Sequence, residues 1–142
     1  MLDRRVVVDT SVFISAMIGP KGPGRELLRR CFEAQLQPIM GNALFCEYES
    51  VIARPKILAK CPLSAQEILT VFNSFMSICT WVPVYFLWRP NLIDEADNHL
   101  IDLAVSGQAE WIVTNNTKHF RGMELVFKEL RICRPEDILK EI

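Results

Sequence analysis

The stretch Val6-Val7-Val8-Asp9-Thr10-Ser11-Val12-Phe13-Ile14-Ser15-Ala16-Met17-Ile18 decides how the rest of the chain is read. Three β-branched residues in a row predict a strand, because their restricted side chains suit a pleated, buried surface. Asp9, Thr10 and Ser11 then offer short polar side chains at a helix start, and the residues after them are apolar except for Ser15. The stretch reads as strand, turn and helix, with a carboxylate at the join. Ligands of a parallel sheet bind beyond the carboxyl ends of its strands, so position alone makes Asp9 a site candidate. An Asp after a strand is also a common helix cap, and on this stretch alone the two readings stand about even.

Working outward, Gly19-Pro20 ends the first helix, and the glycine-rich loop to Gly24 leads into a second one with Leu27, Leu28, Cys31 and Phe32 on one side. That loop lacks the Gly-Lys-Ser/Thr ending of a phosphate-binding loop and reads as a connector. A strand over Gln37 to Met40 precedes a helix capped by Asn42 and broken at Arg54-Pro55. Lys56 to Lys60 adds a turn of helix. Ser64-Ala65-Gln66-Glu67 matches a capping box and opens a long apolar helix, Ala65 to Cys79, read as core or as a dimer face. Thr80 to Leu87 carries Pro83 and reads as an edge strand or extended connector closed by Arg89-Pro90. A helix from Asp94 to Gly107, a buried strand Trp111-Ile112-Val113, a last strand Leu130 to Cys133 and a helix Pro135 to Glu141 complete the chain. Strands alternating with helices predict an α/β fold, a three-layer sandwich with a mostly parallel sheet covered on both faces.

The 142 residues are read as a single domain, 50% hydrophobic and 23% charged, with 16 Lys+Arg against 17 Asp+Glu. A chain of this length buries roughly 68–70% of the surface that its unfolded form exposes, so its core needs no disulfide or metal staple. A formal charge of −1 removes the broad positive field of a duplex-coating DNA-binding protein and leaves room only for a local basic patch. The five cysteines form no C-x-x-C pair and sit among hydrophobic neighbours, which reads as five buried thiols of a reduced, cytoplasmic protein. Neither His99 nor His119 falls in a zinc-finger spacing. No apolar run reaches the length that spans a membrane, and the short apolar run after Arg5 already contains Asp9, which makes it too brief and too acidic for a signal peptide.

Other acids bear on Asp9. A helical period from Asp94 puts Asp97 on the stripe of Leu100, Ile101 and Ala104, facing inward, and turns Asp102 toward water. A carboxylate on an apolar stripe is retained when it is paired, hydrogen-bonded or bound to a cation. The alternative is that Asp97 only complements the positive end of its helix. After Asn42, Glu47 and Glu49 lie on opposite borders of the buried arc of Leu44, Tyr48, Val51 and Ile52, and geometry does not choose between them. Arg54, seven residues after Glu47, suits an ion pair or a phosphate contact. Asn116 stands, like Asp9, just past the end of a strand.

Taken together, Val6 to Phe13, Glu47 to Lys56, and Asp97 to Ala104 followed by Trp111 to Asn116 resemble the PIN domain, in particular the VapC-type toxin ribonucleases of toxin-antitoxin pairs. The resemblance runs nearly end to end. It assigns the family's first three acids to Asp9, Glu47 and Asp97, settling the tie with Glu49. The fourth acid, two positions after Thr114, is replaced here by Asn116, which keeps an oxygen but brings no charge. The resemblance implies hydrolysis of RNA phosphodiesters with Mg²⁺ or Mn²⁺, with Asp9, Glu47 and Asp97 as metal ligands and Asn116 in the catalytic set. Thr114 is expected as polar support or substrate contact and Arg54, with Lys56, as a contact for backbone phosphate. Thr10 or Ser11 either bonds a ligand carboxylate or caps the helix. A cognate antitoxin and a homodimer are the implied partners. The competing reading is a PIN-like module that binds RNA or protein with little or no catalysis.

Overall fold

A computed structural model describes residues 4–85, 97–120 and 129–142 of the chain. Among these residues five strands, β1 (Arg5–Val8), β2 (Gln37–Met40), β3 (Thr80–Trp81), β4 (Trp111–Val113) and β5 (Arg131–Cys133), form one sheet in the order β3-β2-β1-β4-β5. All four pairings are parallel, with Val6, Val7 and Val8 of β1 opposite Trp111, Ile112 and Val113 of β4. The three β-branched residues of β1 are fully or almost fully buried, as a central strand covered on both faces requires.

The helices are α1 (Thr10–Ile18), α2 (Pro23–Phe32), α3 (Asn42–Ile52), α4 (Pro55–Lys60), α5 (Ala65–Ile78), α6 (Asn98–Ser106) and α7 (Pro135–Leu139), with a 3₁₀ turn at Thr117–Phe120. The chain steps from β1 to β2 to β3 in one direction and then crosses back past β1 to β4 and β5. Because parallel crossovers are right-handed, this reversal puts α6 on the opposite face from α1 to α5. Helix α6 packs on β1, β2 and β4, while α2 packs against α1, α5 and α7. The step between β1 and β4 is the point where the winding direction switches, which is where open α/β sheets form their ligand crevice.

Local signals account for most element boundaries. Ser64 Oγ accepts from the Glu67 backbone at 3.1 Å and Glu67 returns the bond to the Ser64 N–H at 2.9 Å, the expected capping box. Pro23, Pro55 and Pro135 each open a helix, where a missing N–H is harmless. Gly24 in the first turn of α2 rests on α1: a Cβ there would lie 2.6 Å from Ser15 Oγ and 2.9 Å from the Val12 carbonyl, so a larger residue would lever the two helices apart. Under the sheet, Phe13, Tyr48, Phe72 and Phe75 form a tilted aromatic cluster with ring centroids 5.2–6.4 Å apart.

Several expectations are corrected. Gly41, not Asn42, is the cap of α3, and Asn42 is its first residue. The thiols are not uniformly buried: Cys31 is, Cys46 is exposed, and the other three are intermediate. Phe32 is 43% exposed although it meets the Phe75 ring edge. The edge strand holds only Thr80 and Trp81, and Val82, Pro83 and Val84 leave the ladder, the Val82 N–H still reaching Met40 O at 2.8 Å. The expected helix start at Asp94 and the Arg89-Pro90 boundary lie outside the described residues. Asp102 does not face water: it is only 2% exposed, because α6 is covered by β2, β1 and β4 on one side and by α3 on another, a wider buried arc than a single apolar stripe suggests.

Candidate active site

Asp9 leaves β1 at the switch point, its N–H bonded to Val113 O of β4 at 2.9 Å. It occupies the N-cap position of α1, yet its side chain makes no cap bond. Its carboxylate instead accepts from hydroxyls: Ser11 Oγ at 2.8 Å and Thr114 Oγ1 at 2.7 Å on Oδ2, and Thr10 Oγ1 at 3.4 Å on Oδ1. Ser11 and Thr10 therefore bond the carboxylate and do not cap the helix. Asp9 is 5% exposed, and among the described residues no lysine or arginine lies within ion-pair distance of it. A buried anion held only by neutral hydroxyls is oriented but not neutralised, the condition under which a carboxylate retains affinity for a cation.

Glu47 meets Asp9 across one hydroxyl. Thr10 Oγ1 stands 3.0 Å from Glu47 Oε1 and 3.4 Å from Asp9 Oδ1, and it has one proton for two acceptors. Glu47 is held there by its neighbour: fully buried Tyr48 donates its hydroxyl to Val8 O at 2.7 Å, tying α3 to the strand that ends in Asp9. Burial pushes the Tyr48 hydroxyl well above its ordinary pKa, so this donor stays protonated. The outer oxygen of Glu47 lies 2.6 Å from His99 Nε2 on α6. That bond is the main reason the Glu47 pKa lies below the usual carboxylate value; burial opposes it, and Thr10 and Arg54 add smaller downward contributions. Arg54 itself is exposed at the start of α4, and Glu49 lines a separate groove with Leu58 and Leu69.

Asp97 is the residue before α6 and, like Asp9, makes no side-chain cap bond there. Its carboxylate is 3.0 Å from His119 Nδ1 in the 3₁₀ turn that follows β4. Thr114 is fully buried with its hydroxyl on Asp9. The same Thr114 oxygen accepts the Asn116 N–H at 3.0 Å, fixing Asn116 beside the crevice. The chain thus brings Asp9, Glu47, Thr114 and Asn116 into one bonded network and attaches Asp97 to its edge through His119. Among the described residues no three His, Cys, Asp or Glu side chains stand close enough to hold a metal ion as they are placed. The donors available are carboxylate and hydroxyl oxygens, the hard ligands that suit Mg²⁺ or Mn²⁺.

Three participants escaped the sequence reading. The chain has two histidines, and both land on acids of this region; their presence inside the Asp97–Ala104 and Thr114–Phe120 stretches was the available signal. Asn115 is the third. Its N–H donates to Ser11 Oγ at 3.1 Å and its side-chain amide to Ser11 O at 3.1 Å, so it pins the first turn of α1 to the end of β4 and orients the serine that bonds Asp9.

A parallel α/β sheet with an acid pair at its switch point defines an open α/β domain with a ligand crevice at the ends of its central strands. Its sequence narrows the class: the profile of the PIN domain family matches residues 5–118, and the chain belongs to that family. An uncharacterized protein of Methanocaldococcus jannaschii is 30% identical over 110 residues, 74% of this chain and 66% of the relative, so the chain spans just under two thirds of that protein. Among solved structures, a chain of VapBC2 from Rickettsia felis, crystallised with a DNA fragment from its promoter, matches with a TM-score of 0.62 at 13% identity, covering 90% of this chain and 96% of that one. At that identity the likeness shows the fold. Among the described residues no helix is long and apolar enough to cross a membrane.

Proposed function

We propose that this PIN domain is a divalent-metal-dependent endoribonuclease and the toxin component of a toxin-antitoxin pair. The observation that supports this best is the pair of carboxylates, Asp9 and Glu47, flanking a single threonine hydroxyl at the switch point, with no cationic side chain at Asp9 among the described residues. Asp9, Glu47 and Asp97 would hold Mg²⁺ or Mn²⁺, which when bound activates water and offsets charge developing on the phosphate and leaving oxygen. Thr114 and Ser11 keep Asp9 in one orientation. Asn116 presents a neutral amide to the attacking water, and Arg54 contacts the phosphate backbone beside Glu47. A cytoplasmic location, a cognate antitoxin and a homodimer built on the outer face of α5, where Leu69 is 41% exposed, belong to the same reading.

A second reading has an observation of its own. Glu47 and Asp97 are each hydrogen-bonded to a histidine, and Asn116 adds no charge, as in a module that binds RNA or protein without cleaving it. Single-stranded RNA incubated with the protein and Mg²⁺ or Mn²⁺ separates the two. Cleavage by the wild type that is lost in Asp9→Asn supports the ribonuclease; RNA retention with no turnover under either ion selects the binding module.

A further inference from the structure

A second hollow opens on the same edge of the sheet as Asp9, and the proposed chemistry does not use it. It is an open pocket of about 370 Å³ whose lining includes Thr117, Cys133, Arg134 and Asp137. It lies past the carboxyl ends of β4 and β5, and β5 stands two strands from β1, on the side opposite β2. A strand spacing of about 4.8 Å puts it roughly 10 Å along the edge from Asp9. The backbone ties it to the acid network: Thr114, whose hydroxyl is on Asp9, donates its N–H to Cys133 O at 2.9 Å, and Arg134 is the next residue. Pro135 holds Arg134 extended, at φ −86° and ψ 159°, and the Arg134 N–H donates to Asp137 Oδ2 at 3.2 Å, so a cation and an anion stand on one anchored corner. Both residues are exposed, and among the described residues no carboxylate lies within ion-pair distance of Arg134. Burial pushes the Cys133 thiol up to about 11, so it adds no charge.

These features select a ligand class. An isolated anion would meet Asp137 as well as Arg134, and an apolar group would strip water from both. A unit that carries an anion and a hydroxyl donor side by side satisfies the pair, because a guanidinium takes the anion and a carboxylate accepts from the hydroxyl. A ribonucleotide is such a unit, and a deoxyribonucleotide lacks the hydroxyl. We propose that this hollow is a ribose-phosphate subsite, in which Arg134 holds a phosphate and Asp137 accepts the 2′-hydroxyl of a neighbouring nucleotide in the strand whose phosphate lies at Asp9 and Glu47. Thr117 adds a hydroxyl beside that phosphate, and Asp137 becomes the residue that chooses RNA over DNA. The inference rests on the ribonuclease reading for the path of the strand, but not for the pocket itself.

The test uses the full chain without divalent ions, so that no strand is cut, and the fluorescence anisotropy of one single-stranded sequence made as RNA and as DNA. RNA should bind about 10-fold more tightly, the worth of one hydrogen bond to a charged group. Replacing the 2′-hydroxyls one at a time should trace that preference to a single nucleotide. Asp137→Ala should weaken RNA alone and bring the two affinities together. Arg134→Gln should weaken RNA and DNA alike and lower the slope of log affinity against log salt by about 0.7. Equal affinity of the wild type for RNA and DNA, a preference that survives Asp137→Ala, or an equal loss of both strands in that variant, as mere damage to α7 would give, overturns the subsite. RNA cleavage under Mg²⁺ or Mn²⁺ without the binding preference removes the subsite while leaving the ribonuclease. A preference for RNA that depends on Asp137 in a protein that cleaves nothing keeps the subsite and removes the ribonuclease.

Discussion

Asp9 and Glu47 stand on either side of one threonine hydroxyl, yet the chain surrounds them differently. Asp9 sits on the floor of the crevice, 5% exposed, and among the described residues its carboxylate is met by the hydroxyls of Thr10, Ser11 and Thr114. Glu47, on α3, is shared with the imidazole of His99; Asp97, just before the start of α6, is matched in the same way with His119. Hydroxyls orient a carboxylate and leave its charge in place, whereas an imidazole can also balance it. The floor is therefore built to keep an anion fixed, and the rim to exchange partners.

The largest expected effect breaks the floor. Asp9→Asn removes its charge but not its shape, and metal-stimulated RNA cleavage should fall about 100-fold or more, since even groups that merely support a metal ligand are worth 10–100-fold. Cleavage kinetics alongside an unchanged circular-dichroism spectrum would establish it, and undiminished cleavage would remove Asp9 from the chemistry. Thr114→Val is next: it deletes the 2.7 Å donor to Asp9 at nearly constant volume, and activity should drop about 10- to 100-fold. A loss at Thr114 as small as that at an exposed residue would mean that the hydroxyls do not control the floor.

Tyr48→Phe tests the link between floor and rim. It leaves the buried Val8 carbonyl without its donor and should cost about 1–3 kcal/mol, read from a denaturant midpoint. The rim itself is probed by pH. The folded Glu47 pKa lies below its ordinary 4.5, so the stabilisation from the His99 pair is present above that value and disappears as pH falls through the folded value. His99→Ala should flatten the loss of stability on acidification below about pH 4.5, measured as the shift in urea midpoint. An identical acid limb in wild type and variant would separate Glu47 from His99.

The smallest effect lies far from both regions. At the end of α2 the Gln35 and Ala34 N–H groups bond Arg30 O and Cys31 O at 2.9 and 3.0 Å, with Ala34 at φ 63° where glycine is usual. Ala34→Gly should raise stability by about 1 kcal/mol or less with cleavage unchanged.

Much of this fold was legible because its signals are local. Val6-Val7-Val8, the Ser64–Glu67 box and the helix-opening prolines depend on neighbours a few residues away. The Asp9 end of the site was legible for the same reason, since a strand followed by Asp-Thr-Ser carries its own geometry. What the sequence hid depends on which faces of a helix are covered. Asp102 was turned toward water because a helical period marks one stripe, whereas α6 is enclosed by the sheet and by α3. The histidines were weighed only as zinc ligands, yet their partners lie 52 and 22 residues away along the chain. Choosing Glu47 over Glu49 likewise needed the family resemblance, because the decisive contact runs through Thr10, 37 residues distant.

The central claim is that Asp9, Glu47 and Asp97 share a divalent cation, and the anomalous scattering of Mn²⁺ in crystals of the full chain tests it most directly. The account predicts one peak at coordination distance, about 2.0–2.2 Å, from a carboxylate oxygen of Asp9, with Glu47 or Asp97 turned from its histidine toward it. Saturating Mn²⁺ with no peak in the crevice, and both acids still on His99 and His119, would contradict it.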